Sequence, residues 1–380
     1  EYLRDGWGAV AAWGEEEDVG LLSRLKREFD YFSLPDLYTQ QEVAIVTGGG
    51  ERLTGRCSAG VDIYNPAVGA WRGAARMAVP RMSHAVCVVG NSVYATGGRD
   101  TCASSSRAPP SSALSSVERY NVSEDRWVSC PAMPVAICCH QACADSPGKF
   151  MYVIGGCGER AESVWRYDAT LGTRHDMRWS QVASLPEARV DHAACVCVHA
   201  IYVLGGKGES VHGGGATPPK ATVWRYNPYS EAEDSKDKWI AVAPMAHPRS
   251  EFAACALGGK VYVMGGCMLS AGSSHTQFTT TTTDSVACYD PASDTWSAVA
   301  PMAHPRKKFA SFVVQGRLYV SSPEGMEVYD PVTDRWSAGT HEGAGGAGRY
   351  RHMAACAAKV KVDLFDAIIA QARARAWRRG

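Results

Sequence analysis

The chain has 380 residues, an apolar content of 46%, and 39 basic against 39 acidic side chains. These values indicate a globular protein with a sizeable core, and the balanced charge gives no general attraction to nucleic acid or anionic lipid. No apolar run approaches the roughly 18 residues of a membrane-spanning helix. From the balanced charge we expect no nucleic-acid partner, and from the short apolar runs we expect no membrane partner.

The first segment, residues 1–38, does not recur elsewhere in the chain. Its apolar residues stand at helical spacing, which predicts a short helix. Its residues resemble the end of a BTB/POZ domain of the potassium-channel tetramerisation type at Tyr2, Leu3, Arg4, Gly6, Glu28, Tyr31 and Phe32. The resemblance implies that an intact domain would make the protein oligomeric and bind a cullin. The alternative is an ordinary helix that caps the next domain.

A six-residue phrase recurs after this segment. It reads VYATGG at 93–98, MYVIGG at 151–156, IYVLGG at 201–206 and VYVMGG at 261–266. Each copy is followed by a loop, a short strand ending in Tyr, and a Trp. The Tyr and Trp sets are Tyr64, Tyr120, Tyr167, Tyr226, Tyr289 and Tyr329, and Trp71, Trp127, Trp179, Trp239, Trp296 and Trp336. Self-similarity of this kind indicates a repeat architecture.

Each unit predicts four short strands separated by turn residues, which is typical of a β-propeller blade. The double Gly with its downstream Tyr and Trp resembles the kelch repeat over residues 43–358. The resemblance implies an all-β, six-bladed kelch propeller. The first unit lacks its own opening strand, so we expect residues 349–358 to complete it and close the ring. The predicted blades are 43–80 with 349–358, 82–134, 137–187, 190–246, 250–303 and 307–340.

The double Gly invites a reading as a phosphate cradle, but that site needs a helix after the strand, and here another strand follows. We therefore predict a structural turn at which the backbone passes close to a neighbouring blade. The sixth unit has Ser321-Ser322 instead and almost no following loop. We expect that side of the ring to be low and open.

One repeated position carries His84, His140 and His192, with Phe252 and Phe309 in later units. Because Phe occupies it, the pattern indicates a packing position and not a metal site. Cysteines recur three residues further on, which predicts buried, reduced thiols in a cytoplasmic protein, with the nucleus as an alternative. These cysteines are Cys87, Cys143, Cys195 and Cys255.

Adjacent Cys138 and Cys139 raise the question of zinc, but no second cysteine pair stands at zinc spacing. We predict no metal and no cofactor.

Function is expected where the repeats differ. The residue before the shared His/Phe position, here the rim position, is Ser83, Cys139, Asp191, Glu251, Lys308 and then Arg351 or His352. The residue after the double Gly, here the post-glycine position, is Glu51, Arg99, Cys157, Lys207 and Cys267. An acidic arc (Asp191, Glu251) beside a basic arc (Lys308, Arg351) is predicted at one rim.

From these two positions we predict a partner-binding rim made of Ser83, Arg99, Asp191, Lys207, Glu251, Lys308 and Arg351. Such a rim suits a peptide or protein surface carrying both charges. The alternative is a set of solvated turns. The long loops after the double Gly of units two, four and five are rich in Ser, Thr, Gly and Pro and either shape this face or are tolerated insertions. The tail 361–380 predicts a basic amphipathic helix.

We therefore predict a protein-protein interaction module and no enzyme. The kelch and BTB resemblances together imply a substrate adaptor of a cullin-type ubiquitin ligase. The alternatives are a cytoskeletal, actin-binding or other scaffold protein, and a kelch-propeller enzyme such as a copper-radical oxidase.

Overall fold

The computed structural model describes residues 38–51, 54, 56–101, 112–157, 161–171, 178–208, 217–229, 238–270, 279–339, 350–351 and 353–363. The elements within these ranges are β-strands. Nowhere in them is there a helix long and apolar enough to cross a membrane. The predicted BTB-like segment and nearly all of the predicted basic tail lie outside the described residues.

Six antiparallel four-stranded sheets, called blades 1 to 6 in chain order, make up the described fold. Blade 1 contains β1 (Tyr38–Thr47), β3 (Val61–Asn65), β4 (Ala70–Gly73) and β29 (Ala354–Asp363). Blade 2 contains β5 (Ala85–Val89), β6 (Ser92–Thr96), β7 (Val117–Asn121) and β8 (Arg126–Cys130). Blade 3 contains β9 (Gln141–Ala144), β10 (Phe150–Ile154), β11 (Val164–Asp168) and β12 (Trp179–Gln181).

The remaining blades follow the same plan. Blade 4 contains β13 (Ala193–Cys197), β14 (Ala200–Leu204), β15 (Val223–Tyr226) and β16 (Trp239–Val242). Blade 5 contains β18 (Ala253–Leu257), β19 (Lys260–Met264), β22 (Val286–Asp290) and β23 (Thr295–Val299). Blade 6 contains β24 (Ala310–Val314), β25 (Arg317–Ser322), β26 (Gly325–Asp330) and β27 (Arg335–Ala338). Two small sheets pair β2 (Gly50–Glu51) with β28 (Tyr350–Arg351), and β20 (Cys267–Leu269) with β17 (Arg249–Ser250) and β21 (Thr280–Thr282).

The innermost strand of each blade contacts the innermost strands of both neighbours, and β29 takes this place in blade 1. These inner strands surround a central channel of about 550 Å³. Small side chains line it, including the repeated cysteines Cys87, Cys143, Cys195 and Cys255 and also Cys356. Burial raises the pKa of these thiols, so they remain neutral wall residues, as the sequence predicted. The all-β propeller architecture is confirmed.

The two ends of the described chain pair in blade 1. Strands β1 and β29 run antiparallel from the Tyr38–Asp363 pair to the Thr47–Ala354 pair. The C-terminal strand therefore completes the first blade, as predicted. The pairing continues beyond the predicted limits 43 and 358, so residues 361–363 belong to a strand and not to the helical tail. The Val–Lys alternation of residues 359–362 has the period of a strand and accounts for this difference.

Tyr and Trp connect one blade to the next. In blades 2 to 6 the Tyr of the second strand packs on the Tyr of the following blade's third strand, as Tyr202 does on Tyr289 with ring centroids 5.8 Å apart. Tyr319 of blade 6 packs on Tyr64 of blade 1 at 5.7 Å, which closes the ring. Trp296 Nε1 donates a hydrogen bond to the carbonyl of Ala243 in the preceding blade at 2.8 Å. The Tyr and Trp side chains thus pack between neighbouring blades.

The double Gly is a structural turn, as predicted. Gly205 and Gly206 have φ of +54° and +86°, a region that L-residues rarely adopt. A Cβ on Gly205 would stand 2.6 Å from the Arg249 carbonyl at the start of the next blade. In blade 6, Ser321 and Ser322 instead extend strand β25, and Ser322 pairs with Gly325 across a two-residue hairpin. The short loop predicted there is confirmed.

Candidate functional site

The candidate site is the mouth of the channel, where each inner strand begins. The rim positions of blades 2 to 6 all have the left-handed backbone conformation, with φ between +52° and +60° at Ser83, Cys139, Asp191, Glu251 and Lys308. A left-handed backbone is uncommon for any residue other than Gly. Its recurrence at the same position of five blades therefore shows that the scaffold imposes it.

Backbone hydrogen bonds connect these rim positions in series. The amide of Glu251 donates to the carbonyl of Asp191 at 2.9 Å, and the amide of Lys308 donates to the carbonyl of Glu251 at 2.9 Å. In the same way, the amide of Cys139 donates to the carbonyl of Ser83 at 2.9 Å, and the amide of Asp191 donates to the carbonyl of Cys139 at 3.3 Å. The chain of bonds places the five side chains around a pocket of about 100 Å³ at the channel mouth.

The post-glycine positions lie beside the rim positions. Short antiparallel bridges join Met82 to Arg99, and Val190 to Lys207. In blade 5, Ser250 pairs with Cys267 in the same way. In blades 2 to 5 the residue preceding the rim position is thereby fixed opposite a post-glycine residue, so the rim and post-glycine positions form one surface.

Charged side chains from both positions meet in a charge cluster, made of Asp191, Lys207, Glu251, Lys307 and Lys308. Lys207 Nζ lies 2.9 Å from a Glu251 carboxylate oxygen and 3.7 Å from one of Asp191. Lys308 and Lys307 approach Glu251 at 3.5 and 3.7 Å. Lysines and carboxylates of neighbouring blades therefore pair with one another at this rim.

The two carboxylates of the charge cluster respond differently to their surroundings. Burial alone would raise the pKa of Glu251, but Lys308, Lys207 and Lys307 outweigh it and lower the value to about 2. Burial raises the pKa of Asp191 to about 7, with a contribution from Cys139 that the lysines only partly offset. The cluster therefore carries more positive than negative charge at neutral pH.

A second group, the thiol cluster, lies in blade 3. Ligand atoms of Cys138, Cys139 and Cys157 are all within 4.8 Å of one another. Arg99 Nε donates to Cys138 Sγ at 2.9 Å. Contacts with Cys139 and Cys157, together with the Arg99 charge, lower the pKa of Cys138, and the contact with Cys138 raises the pKa of the other two thiols. Sequence spacing alone did not predict this cluster, because Cys157 stands apart from Cys138 and Cys139 and no second cysteine pair lies at zinc spacing.

The shared His position serves packing, as predicted. His84 and His140 place Nε2 2.7 and 2.9 Å from the hydroxyls of Thr47 and Thr96 in the preceding blade. Burial, with Arg81 adding to it, lowers the pKa of His140 to about 3. These imidazoles are neutral, and they do not belong to the group of metal-ligating side chains found in the described part of the chain.

The predicted rim residues do not all lie in one group. Asp191, Lys207, Glu251 and Lys308 converge in the charge cluster, whereas Arg99 contacts the thiol cluster and Ser83 lines the channel mouth. For Arg351 only the backbone is described, in β28 opposite Gly50. Lys307 was not predicted. Its position next to the rim residue Lys308 was the available signal.

Comparisons with known proteins agree with this fold. Similar proteins include Kelch-like protein 23 of Pongo abelii, 28% identical over 264 residues, and Kelch-like protein 25 of Xenopus tropicalis, 27% identical over 262. These alignments cover 69% and 68% of this chain but only 40% and 39% of the relatives, so the chain spans about two fifths of their length.

A solved structure, described as "Structure of YjhT", superimposes with a TM-score of 0.57 at 13% identity, covering 80% of this chain and 95% of that one. At this identity it supports the fold alone. The family model described as the KLHDC2/KLHL20/DRC7 Kelch-repeats domain matches residues 83–322, well over half of the chain. The chain therefore belongs to this family of Kelch-repeat domains.

Proposed function

We propose that this chain is a protein-binding module that holds a partner protein at the channel mouth, through the charge cluster. The observation that carries the proposal is the excess of lysine there. Three ammonium groups surround the Glu251 carboxylate, whose side chain is 10% exposed, and a second carboxylate, Asp191, whose pKa is raised to about 7. The side chains of Lys307 and Lys308 are 45% and 30% exposed, so a partner can reach them.

The excess charge favours an acidic segment of the partner. Carboxylates brought to this rim would meet ammonium groups already held in place, which improves both the encounter rate and the orientation of the partner. The sequence predicted a ligand that carries both positive and negative charges, and the proposal now specifies an acidic segment. The short hairpin of blade 6, in which Ser322 pairs with Gly325, belongs to the same blade as Lys307 and Lys308.

The wider role is proposed from the relatives. The six described sheets are, on this proposal, the blades of the whole propeller, and residues 1–38 are the end of a BTB-like domain that oligomerises in the intact protein. The module then presents substrates to a cullin-type ubiquitin ligase in the cytoplasm, without chemistry of its own. Support comes from the Kelch-like relatives and from the repeated packing roles of the histidines.

The test compares two lysine variants. Lys307→Gln with Lys308→Gln removes the exposed cations but leaves the Lys207–Glu251 pair intact. Lys260→Gln is the control, because Lys260 is similarly exposed and pairs with Asp290 at the other end of the blade 5 strands. Proteins captured from lysate by each immobilised chain are quantified by mass spectrometry at two salt concentrations.

The proposal predicts a set of acidic proteins that the wild type and Lys260→Gln retain and the double variant loses by about tenfold, at an unchanged melting temperature. Raising the salt concentration should weaken the same capture. Equal capture by all three chains would contradict a role for the rim.

A further inference from the structure

The thiol cluster has the chemistry of a metal site. We propose that Cys138, Cys139 and Cys157 bind a thiophilic divalent cation of the zinc type through three thiolates. Tetrahedral zinc with Zn–S bonds of about 2.3 Å holds its sulfurs about 3.8 Å apart. The three sulfurs already lie within 4.8 Å of one another, so side-chain adjustments of about 1 Å or less complete the geometry.

The backbone holds the three thiols together before any ion arrives. Cys138 and Cys157 face each other as a hydrogen-bonded pair, with N···O distances of 2.7 and 3.4 Å. Adjacent residues of an extended strand point in opposite directions. Cys139 escapes this rule because its φ is +54°, which turns its side chain toward that of Cys138.

Other blades show that this convergence is a property of the scaffold. The three matching positions of blade 4 hold Val190, Asp191 and Lys207, and there the carboxylate and the ammonium also approach each other. In blade 5 the matching Cys267 lies within hydrogen-bonding reach of Glu251, at 3.7 Å. Blade 3 differs only in having cysteine at all three positions, so the turn that elsewhere forms polar pairs here forms a soft ligand set.

Charge and access also suit a metal. Three thiolates around a divalent cation leave one net negative charge, and the Arg99 guanidinium against Cys138 Sγ would offset it. Cys138 is buried, whereas Cys139 is half-buried and lines the pocket at the channel mouth. An ion can therefore enter from the mouth, and an exchangeable fourth ligand would reach it by the same route.

Cobalt titration of the full chain tests the proposal. The protein is purified in a phosphine reductant, stripped with a chelator, and titrated with Co²⁺, whose thiolate complexes absorb in the near ultraviolet. We expect one equivalent of Co²⁺ to give this absorption and Zn²⁺ to displace it. Zinc should also raise the melting temperature, because a ligand that binds only the folded state stabilises it.

Two serine variants and a matched control complete the design. Cys157→Ser and Cys139→Ser should abolish the absorption and the zinc-dependent melting shift, while Cys267→Ser, at the position in blade 5 that matches Cys157, should keep both. Cys139 is half-buried, so this variant remains informative if Cys157→Ser fails to fold. Absence of the absorption in the reduced wild type, or its survival in Cys139→Ser, would overturn the proposal. So would isolation of the protein with two of the three thiols as a disulfide that binds no metal after reduction.

Discussion

Replacement of His192 by Phe should stabilise the protein, and it should do so more at acidic pH. Neither ring nitrogen of His192 has a well-formed hydrogen bond to the described residues; the backbones of Arg189 and Ile154 make only weak contacts with this buried ring. Phe252 and Phe309 occupy the same position, and their rings stand beside the first Gly of the preceding blade as that of His192 does. Removing unpaired buried nitrogens is worth about 1–3 kcal/mol near neutral pH.

The pH dependence follows from the lowered pKa. Burial, helped by Arg189 and His140, lowers the pKa of folded His192 to about 3, against 6.5 for the free group. The neutral ring therefore costs nothing extra above pH 6.5, and stability is lost as the pH falls from 6.5 toward 3. At pH 5 this loss is about 2 kcal/mol, which His192→Phe avoids.

Urea unfolding followed by tryptophan fluorescence at pH 7.5 and pH 5 measures both effects. The variant should be more stable at pH 7.5, and its advantage should grow by about 2 kcal/mol at pH 5. His140→Phe is the control, because it removes a hydrogen bond to Thr96 and should not stabilise at pH 7.5. A variant less stable than the wild type at both pH values, or an advantage independent of pH, would refute the assignment of a neutral, unpaired imidazole.

Two further substitutions test the interblade contacts. Gly205→Ala should lower the free energy of unfolding by more than about 3 kcal/mol, because the new Cβ clashes with the Arg249 carbonyl and an L-residue is also strained at this positive φ. Gly258→Ala, with φ of +59° and open space around it, should cost only about 1 kcal/mol. Equal melting shifts of the two variants in a thermal scan would contradict the close approach at Gly205. Trp296→Phe should lower the melting temperature more than Trp224→Phe does, because Trp296 Nε1 bonds to Ala243 while no described group pairs with Trp224 Nε1; the reverse order would remove the interblade bond from the account.

The fold was predictable because its determinants recur. Tyr, Trp and the double Gly recur at the same interblade positions in successive units. Comparing the units of this one chain therefore shows which residue types each position accepts. Because Phe252 and Phe309 occupy the same repeated position as His192, the packing role of that position followed from the sequence alone.

The site was less predictable because it depends on how two repeated positions meet. The sequence placed Asp191 and Lys207 at separate positions, and only the bridge between Val190 and Lys207 brings the two side chains together. Cys157 and Cys139 were likewise assigned to different positions. Their convergence needs the left-handed turn at Cys139, and nothing in the composition of one blade reveals that turn.

A zero-length carbodiimide cross-link tests the binding rim most directly. This reagent joins an ammonium group to a carboxylate only where the two are in contact, so it reports the charge pairs between the module and its captured partner. We predict bonds from Lys307 or Lys308 to Asp or Glu of the partner, mapped by mass spectrometry. Bonds found from Lys260, with none from Lys207, Lys307 or Lys308, would contradict binding at the channel mouth.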